Sequence, residues 1–356
     1  MLFEPGKIGS MELANRLVRS ATAEGMSDDK GRPEPPMIEL YEALARGGVG
    51  LIITGHAFVH ATGRVNLTQT GVHQDELIPA LRTLTEAVHR EGGKVAMQIN
   101  HGGRYSPPEV IGGTPLAPSP VPRAKDLPPP QELNEAQIEE LIRAYGRAAW
   151  RAKEAGFDGV QLHGAHGYLI NQFLSPATNW RRDRWGGSLA RRLRFLEKVA
   201  AAVRMEVGDD FPLLIKLAIQ DFVPDGLTLE EGVEIVSHLA NFGLDAVEIS
   251  GGLGGNNILK DISQPEDEAY FLPQARRARE ATDLPLILVG GLRSKAVMEG
   301  ILEEGTADFI SLSRPLIREP DLPRKFQEGQ ERAECFSCNR CWPSPGEYGI
   351  KCRHEG

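Results

Sequence analysis

The sequence predicts an α/β fold, a closed (β/α)₈ TIM barrel followed by a short cysteine-rich extension. Apolar or β-branched runs alternate eight times with amphipathic helical patterns along the 356 residues. Most of the runs are almost continuously apolar, such as VGLIITG and PLILVGG, which is typical of parallel strands covered by helices. The competing doubly wound sheet needs a G-x-G-x-x-G turn after its first strand, but here that strand runs into SATAEGM.

The eight predicted strands and helices follow one another in strict alternation. Thr228 with Glu231 and Asn134 with Gln137 form the capping-box pattern of helix starts. Glycines that tolerate positive φ stand just past four helix ends, at Gly92, Gly156, Gly243 and Gly305. The predicted strands are 16–22, 49–55, 94–100, 157–164, 213–220, 245–252, 285–291 and 307–314. The predicted helices are 35–47, 75–92, 134–156, 188–207, 228–243, 271–283, 294–305 and 319–330.

The composition narrows the class of partner. With 41% hydrophobic and 25% charged residues the chain is ordinary globular protein, which excludes disordered and fibrous classes. The net charge is −9 and no run is rich in Lys or Arg, so nucleic acid and anionic membranes are disfavoured. We find neither a membrane-spanning apolar stretch nor a secretory signal in MLFEPGKIGS. The expected partner is a small-molecule substrate. The sequence leaves open whether the chain forms a homo-oligomer.

The four cysteines, Cys335, Cys338, Cys341 and Cys352, all fall in the last 22 residues. A secreted disulfide scaffold would spread its cysteines along the chain. The clustering indicates a metal site in a reducing, cytoplasmic compartment. We therefore expect two parts, a barrel over 1–330 and a Cys-rich tail over 331–356.

Two loops are longer than a bare barrel needs. Residues 102–133 follow strand 3 and contain nine prolines, and residues 252–270 follow strand 6 and contain GGLGGNN. Both leave the carboxyl ends of strands, where the active sites of such barrels lie. Long ordered loops at that position are commonly functional, so both are expected to border the site.

The segment HGAHGYLINQFLSP places His163, His166 and Tyr168 at the carboxyl end of strand 4. One alternative is that these polar residues only cap the strand. A second alternative is a metal site, but such a site would need carboxylates or a third His, which the local sequence does not contain. Two neutral imidazoles suit a carbonyl oxygen that gains negative charge. Tyr168, with an ordinary pKa near 10, could deliver a proton to carbon.

The loops after strands 7 and 8 read GGLRS (290–294) and SLSRPLI (311–317). Backbone N–H groups of these two loops form the usual phosphate site of such barrels. Arg314 can add a charge-assisted hydrogen bond. The alternative is that Gly290 and Gly291 only make a tight turn.

Taken together, NRLVRSAT (15–22), QINHGGR (98–104), the stretch 163–196 and GTADFISLSRPLIREPDLPRK (305–325) resemble the old yellow enzyme family. These are FMN-dependent NAD(P)H:flavin oxidoreductases and ene-reductases. The resemblance covers the whole chain, and its most specific part runs from His163 to Leu196. It implies that FMN lies across the mouth of the barrel with its phosphate in the loop 7–8 site.

The resemblance also implies roles at individual positions. Lys216 stands beside flavin N1 and O2 where relatives commonly have Arg, and it supplies the charge without the bidentate fork. Ala23 stands where relatives often have a Thr or Cys that tunes the flavin, so that contact is expected to be absent. The implied cofactor-binding residues are Ser20, Ala21, Thr22, Gln98, Lys216, Gly290, Gly291, Ser313 and Arg314.

The reaction implied by the resemblance has two halves. NAD(P)H gives a hydride to flavin N5, and N5 then delivers it to the β-carbon of an electron-poor alkene. His163 and His166 would polarise the carbonyl of that substrate, and Tyr168 would protonate its α-carbon. The cofactor carries the chemistry and the protein orients and polarises.

The tail reads C-x₂-C-x₂-C-x₁₀-C and resembles the cluster-binding segment of the dienoyl-CoA reductase and trimethylamine dehydrogenase branch. Four thiolates can hold a 4Fe–4S cluster or zinc. A third alternative is that the tail binds no metal. The last spacer is slightly shorter than in that branch. The large FAD- and nucleotide-binding domains of that branch do not follow within the 356 residues. A cluster would therefore be expected to need a separate electron-transfer partner, or only to stabilise the tail.

Departures from that branch bear on the substrate. Dienoyl-CoA reductases carry an active-site His after strand 6, where this chain has Asn256 and Asn257, and the amine dehydrogenases place a Tyr at the position of His163. The His163/His166 pair therefore favours an activated-alkene reductase. Two alternatives stay open. One is an amine or thioether dehydrogenase, or a dienoyl-CoA-type reductase, that passes electrons through a cluster. The other is a zinc-stapled lyase or isomerase without flavin.

Overall fold

Eight parallel strands close into a barrel, as the sequence predicts, in a computed structural model that describes residues 1–254, 267–343 and 348–354. Neighbouring strands pair in chain order, and the ring closes where the first strand pairs with the last. Each strand is almost wholly buried, which explains its continuously apolar sequence. The barrel strands are β1 (Leu17–Arg19), β2 (Leu51–Ile53), β3 (Val95–Asn100), β4 (Gly159–Gly164), β5 (Leu213–Ala218), β6 (Ala246–Ser250), β7 (Leu286–Val289) and β8 (Phe309–Leu312).

A helix follows each strand and packs outside the barrel. The described part of the chain contains no helix that is long and apolar enough to cross a membrane. Additional short helices are Pro108–Ile111 in the loop after β3, Leu169–Leu174 after β4 and Arg314–Arg318 after β8. The eight main helices are α1 (Pro35–Arg46), α2 (Ile78–Arg90), α3 (Glu135–Glu154), α4 (Leu189–Val207), α5 (Leu229–His238), α6 (Leu272–Arg279), α7 (Lys295–Glu303) and α8 (Leu322–Gln327).

The last predicted helix, 319–330, is wrong in its bounds. The chain forms two short helices instead, Arg314–Arg318 and Leu322–Gln327. Glu319 between them has φ −132° and ψ 81°, which is not helical. It precedes Pro320, whose ring disfavours the helical conformation at the residue before it.

Both predicted capping boxes are present. Gln137 N donates to Asn134 Oδ1 at 2.9 Å while Asn134 N donates to Gln137 Oε1 at 3.0 Å, and Thr228 and Glu231 are paired in the same way. These pairs satisfy N–H groups that the first turn of a helix leaves without intrahelical partners. The four predicted helix-stop glycines have positive φ, at Gly92 75°, Gly156 89°, Gly243 80° and Gly305 71°.

The sequence patterns missed a short antiparallel hairpin, Gly6–Ile8 with Met11–Leu13. Its Ile8 and Leu13 side chains are buried in the same apolar cluster as Val18 of the barrel interior. Strands of three residues are too short to show a hydrophobic period, which is why the hairpin was not predicted. The hairpin contributes to the packed interior of the barrel.

The described parts of the tail, 331–343 and 348–354, lie against the barrel without helix or strand of their own. Ala333 N donates to Arg293 O, and Ile350 N donates to Glu24 O, each at 2.9 Å. Ile350 is buried by this contact. So short a segment hides too little apolar surface to fold alone, and the barrel supplies the surface on which it is ordered.

We expect Asn134→Ala to lower the free energy of unfolding by about 1 kcal/mol, because the N-cap oxygen that satisfies Gln137 N is lost. Denaturant unfolding followed by circular dichroism measures the change. Asn134→Asp keeps the capping oxygen and is the matched control. Equal stability of the Ala and Asp variants would contradict the role of the cap.

Candidate active site

A cavity of about 390 Å³ opens at the carboxyl ends of the strands. Nearly every barrel strand contributes residues to its wall. Asn256 and Asn257, predicted to follow β6, lie outside the described residues. The cavity brings together all predicted catalytic and cofactor-binding residues: Ser20, Ala21, Thr22, Gln98, His163, His166, Tyr168, Lys216, Gly290, Gly291, Ser313 and Arg314.

A buried ion pair lies beside the cavity, between neighbouring strands. Lys216 on β5 and Glu248 on β6 hold matched positions in the parallel register. Lys216 Nζ lies 3.1 Å from Glu248 Oε1 and also donates to Ser20 Oγ at 2.6 Å. The same carboxylate oxygen accepts hydrogen bonds from Ser20 Oγ at 2.8 Å and from Ser311 Oγ at 2.9 Å. The lysine that lines the cavity is thereby held in one place.

The Glu248 carboxylate also orients two amides. Gln161 Nε2 donates to Glu248 Oε2 at 2.9 Å, since an ionised carboxylate only accepts. Gln161 Oε1 is then left to accept from Gln98 Nε2 at 2.7 Å. Gln98 and Gln161 face each other in the register of β3 and β4. The Glu248 carboxylate therefore sets the orientation of Gln98, the predicted flavin contact, through the side chain of Gln161.

Burial by itself raises the pKa of Glu248, but the attraction of Lys216 and hydrogen bonds from Gln161 and Ser20 outweigh it. The pKa of Glu248 falls below its ordinary value, so the group is an anion at neutral pH. The sequence analysis missed Glu248 and Gln161. Glu248 is the one charged residue of the strand AVEIS, and such an isolated charge in an apolar run was a usable signal.

His163 and His166 lie side by side, with ring centroids 5.2 Å apart. His163 Nδ1 accepts the backbone N–H of Ala165 at 3.3 Å, so the neutral ring carries its proton on Nε2. His166 has φ 59°, an uncommon conformation for a non-glycine residue, and its Nε2 lies 2.8 Å from Ser250 Oγ. Residues with unusual backbone angles cluster at functional sites.

Both imidazoles are neutral at physiological pH. Burial, with a smaller contribution from the nearby Lys216 charge, lowers the pKa of His166 to about 3. Burial also lowers the pKa of His163 well below its ordinary value, with His166 as the next contribution. Neutral rings can donate hydrogen bonds without bringing a net charge into the cavity.

Tyr168 begins the short helix Leu169–Leu174, and its ring lies 4.7 Å from that of His163. Burial, with a smaller contribution from the neighbouring Tyr105, raises the pKa of Tyr168 to about 12. The phenol is therefore protonated at neutral pH and available as a proton donor. Tyr105, which the sequence analysis missed, packs edge-on against Tyr168 at 5.9 Å and comes from the loop after β3.

His56 is a further cavity residue that the sequence did not predict. It follows β2 and lines the cavity, with its ring 5.0 Å from Tyr168 and 5.9 Å from His163. Burial lowers its pKa to about 4, so it is neutral. A His directly after the predicted strand 49–55 lies at the carboxyl end of a barrel strand, which was a signal that could have identified it.

The predicted phosphate site is built from glycine conformations and one arginine. Gly290 and Gly291 have φ 137° and 70°, so both require glycine, and a Cβ at Gly290 would lie 3.2 Å from Phe271. Arg314 borders the cavity and donates to Asn339 Oδ1 at 2.7 Å. Within 1–254, 267–343 and 348–354, Arg314 forms no ion pair with a carboxylate. Its charge is thus available to an anion.

These residues fit FMN. The charge of Arg314 beside the glycine turn suits a phosphate. Gln98 and Lys216, both held by the Glu248 network, suit the polar edge of a flavin ring, which carries hydrogen-bonding N and O atoms. The described residues between β6 and β7 that line the cavity, among them Gly251, Gly252 and Phe271, form an apolar and glycine-rich wall that suits a flat ring.

The cysteines of the tail are free thiols, with Cys341 buried and the other three partly exposed. Burial raises the pKa of Cys335 and of Cys341. The donor chemistry of four thiols suits iron or zinc. Among the residues described, no three His, Cys, Asp or Glu side chains come together as a group that could hold a metal ion.

The chain is similar in sequence to known proteins over most of its length. Residues 1–333 match the NADH:flavin oxidoreductase / NADH oxidase family. The chain is 38% identical to an NADH oxidase of Thermoanaerobacter brockii over 344 residues, 95% of this chain and 52% of that protein. It is 37% identical to an NADPH dehydrogenase of Geobacillus sp. (strain WCH70) over 324 residues, 91% of this chain and 92% of that protein.

A solved structure has the same fold. The old yellow enzyme homologue from Zymomonas mobilis superposes with a TM-score of 0.79 at 28% identity, covering 94% of each chain. Several curated relatives are much longer, and this chain spans about half of their length, 52% in one case and 51% in another.

We expect Lys216→Met to destabilise the protein by about 3 kcal/mol at neutral pH, because Glu248 stays buried without its cation. In this variant burial raises the folded-state pKa of Glu248 above its unfolded value. The penalty is therefore absent below the unfolded pKa and grows as pH rises through the folded pKa. Denaturant unfolding at several pH values between 4 and 8 measures it.

The control is Lys216→Met combined with Glu248→Gln, which removes both charges and should recover most of the loss. A single variant that is as stable as the double variant at neutral pH would show that Glu248 does not depend on Lys216.

Proposed function

The chain belongs to the NADH:flavin oxidoreductase / NADH oxidase family, and from this premise we propose that it is an FMN-dependent NAD(P)H oxidoreductase acting on electron-poor alkenes. The proposed substrate class is an α,β-unsaturated carbonyl compound. The observation that supports this class is the group of two neutral imidazoles, His163 and His166, next to the protonated phenol of Tyr168. The family agrees with the resemblance to old yellow enzymes in the sequence.

Bound FMN supplies hydride transfer from NAD(P)H to the substrate. In this chain, Gln98, Lys216 and the segment Ser20–Thr22 would hold the ring. Gly290, Gly291, Ser313 and Arg314 would hold the phosphate. Ser313 Oγ lies 2.8 Å from Thr22 Oγ1, so the loops after β1 and β8 are joined beside the proposed phosphate site.

The two histidines would bind the substrate carbonyl oxygen. His163 can donate from Nε2, because its Nδ1 already accepts the Ala165 N–H. Positioned donors stabilise negative charge that develops on such an oxygen, and they act most strongly where water is excluded. Both rings lie in a buried setting, so no protonation change is needed before they donate.

Tyr168 would supply the proton to the α-carbon. Its raised pKa keeps the phenol protonated over the whole physiological range. A general acid must lie within reach of the atom it protonates, and the ring contact between Tyr168 and His163 supports this role, since His163 would bind the carbonyl oxygen.

A second candidate is an amine or thioether dehydrogenase, or a dienoyl-CoA-type reductase, that passes electrons to a separate partner. The tail favours it, since Ser337, Asn339 and Trp342 line the same cavity as the proposed flavin site. Amine-dependent reduction of the protein's flavin, with no turnover of enones, would establish this candidate instead.

We expect His163→Ala and His166→Ala each to slow the reaction with 2-cyclohexenone by about 10²–10³, the scale of losing one oxyanion donor. Stopped-flow absorbance of flavin reoxidation measures the rate. Reduction of the same variants by NAD(P)H is the internal control and should fall less. Heat denaturation of wild type should release FMN into the filtrate.

Unchanged enone reoxidation in both variants would refute the role of the histidine pair. Flavin that stays with the polypeptide, or FAD in the filtrate, would refute the proposed mode of cofactor binding.

We also propose that Cys335, Cys338, Cys341 and Cys352 take up a 4Fe–4S cluster, with zinc as the alternative, in the cytoplasm. The support is the spacing of the four cysteines and their clustering at one end of the sequence. In this proposal residues 1–330 form the flavin barrel and 331–356 the metal-binding tail.

We expect protein prepared without oxygen to contain iron or zinc, and Cys338→Ala to lose it while keeping FMN, whose proposed contacts lie on the barrel. Elemental analysis and the flavin spectrum measure the two losses. Cys338→Ser is a sterically matched control that should also lose metal. Wild type without metal would leave the cysteines unexplained, and joint loss of FMN would make the tail part of the flavin site.

A further inference from the structure

We propose that His56 is a positioning residue that donates a hydrogen bond from Nε2–H to the phenol oxygen of Tyr168 and so directs the phenol proton into the cavity. The catalytic part of this inference rests on the proposed function, in which Tyr168 protonates the substrate. The tautomer of His56 rests only on contacts within the chain, which can be tested separately.

The tautomer follows from the orientation of one buried amide. Gln69 Oε1 accepts the backbone N–H of Val65 at 2.6 Å, so the other end of the Gln69 side chain must be the NH₂ group. That NH₂ donates to the His56 carbonyl oxygen at 3.0 Å, which again only a donor can do. Two independent contacts therefore fix which atom of Gln69 is nitrogen.

The same Gln69 nitrogen lies 2.8 Å from His56 Nδ1. A nitrogen that faces an NH₂ donor must accept, so Nδ1 carries no proton. Asn100 Nδ2 lies 3.2 Å from the same Nδ1, which agrees with Nδ1 as an acceptor. A neutral imidazole has one N–H group, and in His56 it must be on Nε2. Burial lowers the pKa of His56 to about 4, which keeps the ring neutral.

The Nε2–H group of His56 has one partner among the residues described. Tyr168 Oη lies 3.5 Å from Nε2, at the long edge of the hydrogen-bond range. Catalytic hydrogen bonds are often long before the substrate is bound and tighten in the complex. Since His56 can only donate here, Tyr168 Oη must accept, and the Tyr168 O–H group is free to point at a substrate.

Within 1–254, 267–343 and 348–354, the groups around Tyr168 do not offer a stronger competing acceptor. Tyr105 packs edge-on at 5.9 Å and donates its own hydroxyl to Leu253 O at 3.3 Å. His163 meets the Tyr168 ring edge-on, and the Arg123 charge lies near enough to lower the Tyr168 pKa slightly against the effect of burial. A neutral donor at His56 therefore supplies the hydrogen bond that fixes the phenol.

The arrangement also stabilises the product of proton transfer. When Tyr168 protonates the α-carbon, its O–H bond breaks, a C–H bond forms, and the electron pair stays on the phenolate oxygen. The His56 N–H then donates to an anion, and hydrogen bonds to charged groups are about twice as strong as neutral ones. Water later restores the proton to Tyr168. In this proposal His56 eases the ionisation of a phenol that burial makes a weak acid.

The first test is direct and needs no substrate. ¹⁵N NMR of histidine-labelled holoprotein, with the His56 signals assigned by their loss in His56→Gln, should show Nε2 protonated and Nδ1 bare. The opposite tautomer, or an imidazolium at neutral pH, would overturn the proposal.

The second test measures the acidity of the phenol. Fluorotyrosine placed at position 168 lowers the phenol pKa into a range where the fold persists, and phenolate absorbance follows its titration. His56→Leu removes the donor and should weaken the acid at least about tenfold, since a hydrogen bond to a charge is lost. His56→Gln keeps an N–H near the position of Nε2 and should restore most of the acidity. Equal acidity in wild type and His56→Leu would overturn the proposal.

The kinetic consequence separates this inference from the proposed function. In His56→Leu the rate of enone reduction should fall with a larger solvent isotope effect, while reduction by NAD(P)H changes little. If the protein reduces no enone but His56→Leu still weakens the Tyr168 acid, the positioning role stands and the proposed substrate class fails. If wild type reduces enones and His56→Leu leaves the acidity of Tyr168 unchanged, the positioning role of His56 fails and the proposed substrate class stands. If His56→Leu does not fold, the ¹⁵N NMR measurement of the His56 tautomer and the phenol titration in His56→Gln still test the proposal.

Discussion

The ion pair between Lys216 and Glu248 determines much of the geometry of the cavity. Its carboxylate accepts hydrogen bonds from groups on or next to four different strands, which ties opposite sides of the barrel mouth together. A buried carboxylate without such partners would be protonated or would destabilise the fold. With them it stays ionised, holds the lysine at the cavity wall and sets the direction of the amides of Gln161 and Gln98. One charge therefore orders side chains that the sequence separates by more than a hundred residues.

A second theme is the neutrality of the histidines at the Tyr168 end of the cavity. The imidazoles of His56 and His163 contact the phenol ring, His166 lies beside His163, and burial keeps all three neutral. Each is fixed by its own neighbour, an amide, a backbone N–H or a serine hydroxyl. Neutral donors of fixed direction can stabilise a transient negative charge without first attracting counter-ions or water. The donors at the cavity are therefore already oriented to stabilise negative charge that appears only during a reaction.

The sequence predicted the barrel, because eight buried strands leave eight apolar runs, and it predicted the capping boxes, because their partners are three residues apart. It also located His163, His166 and Tyr168, which stand together in one short segment. It could not predict that Glu248 joins Ser20 and Gln161, since those contacts depend on the order of strands around the ring. The short hairpin near the amino terminus and the tautomer of His56 were equally out of reach. The first has no period to detect, and the second depends on Gln69, whose orientation only three-dimensional contacts define.

The tail lies against the barrel and also lines the cavity, through Ser337, Asn339 and Trp342. Asn339 accepts a hydrogen bond from Arg314, the residue placed at the proposed anion site. Any molecule that binds between Arg314 and the docked tail favours the docked arrangement in proportion to its concentration, by mass action. Occupancy of the cavity and protection of the tail from proteases and from hydrogen exchange are therefore thermodynamically linked. Protection of the carboxyl-terminal segment is therefore expected to increase when the cavity is occupied.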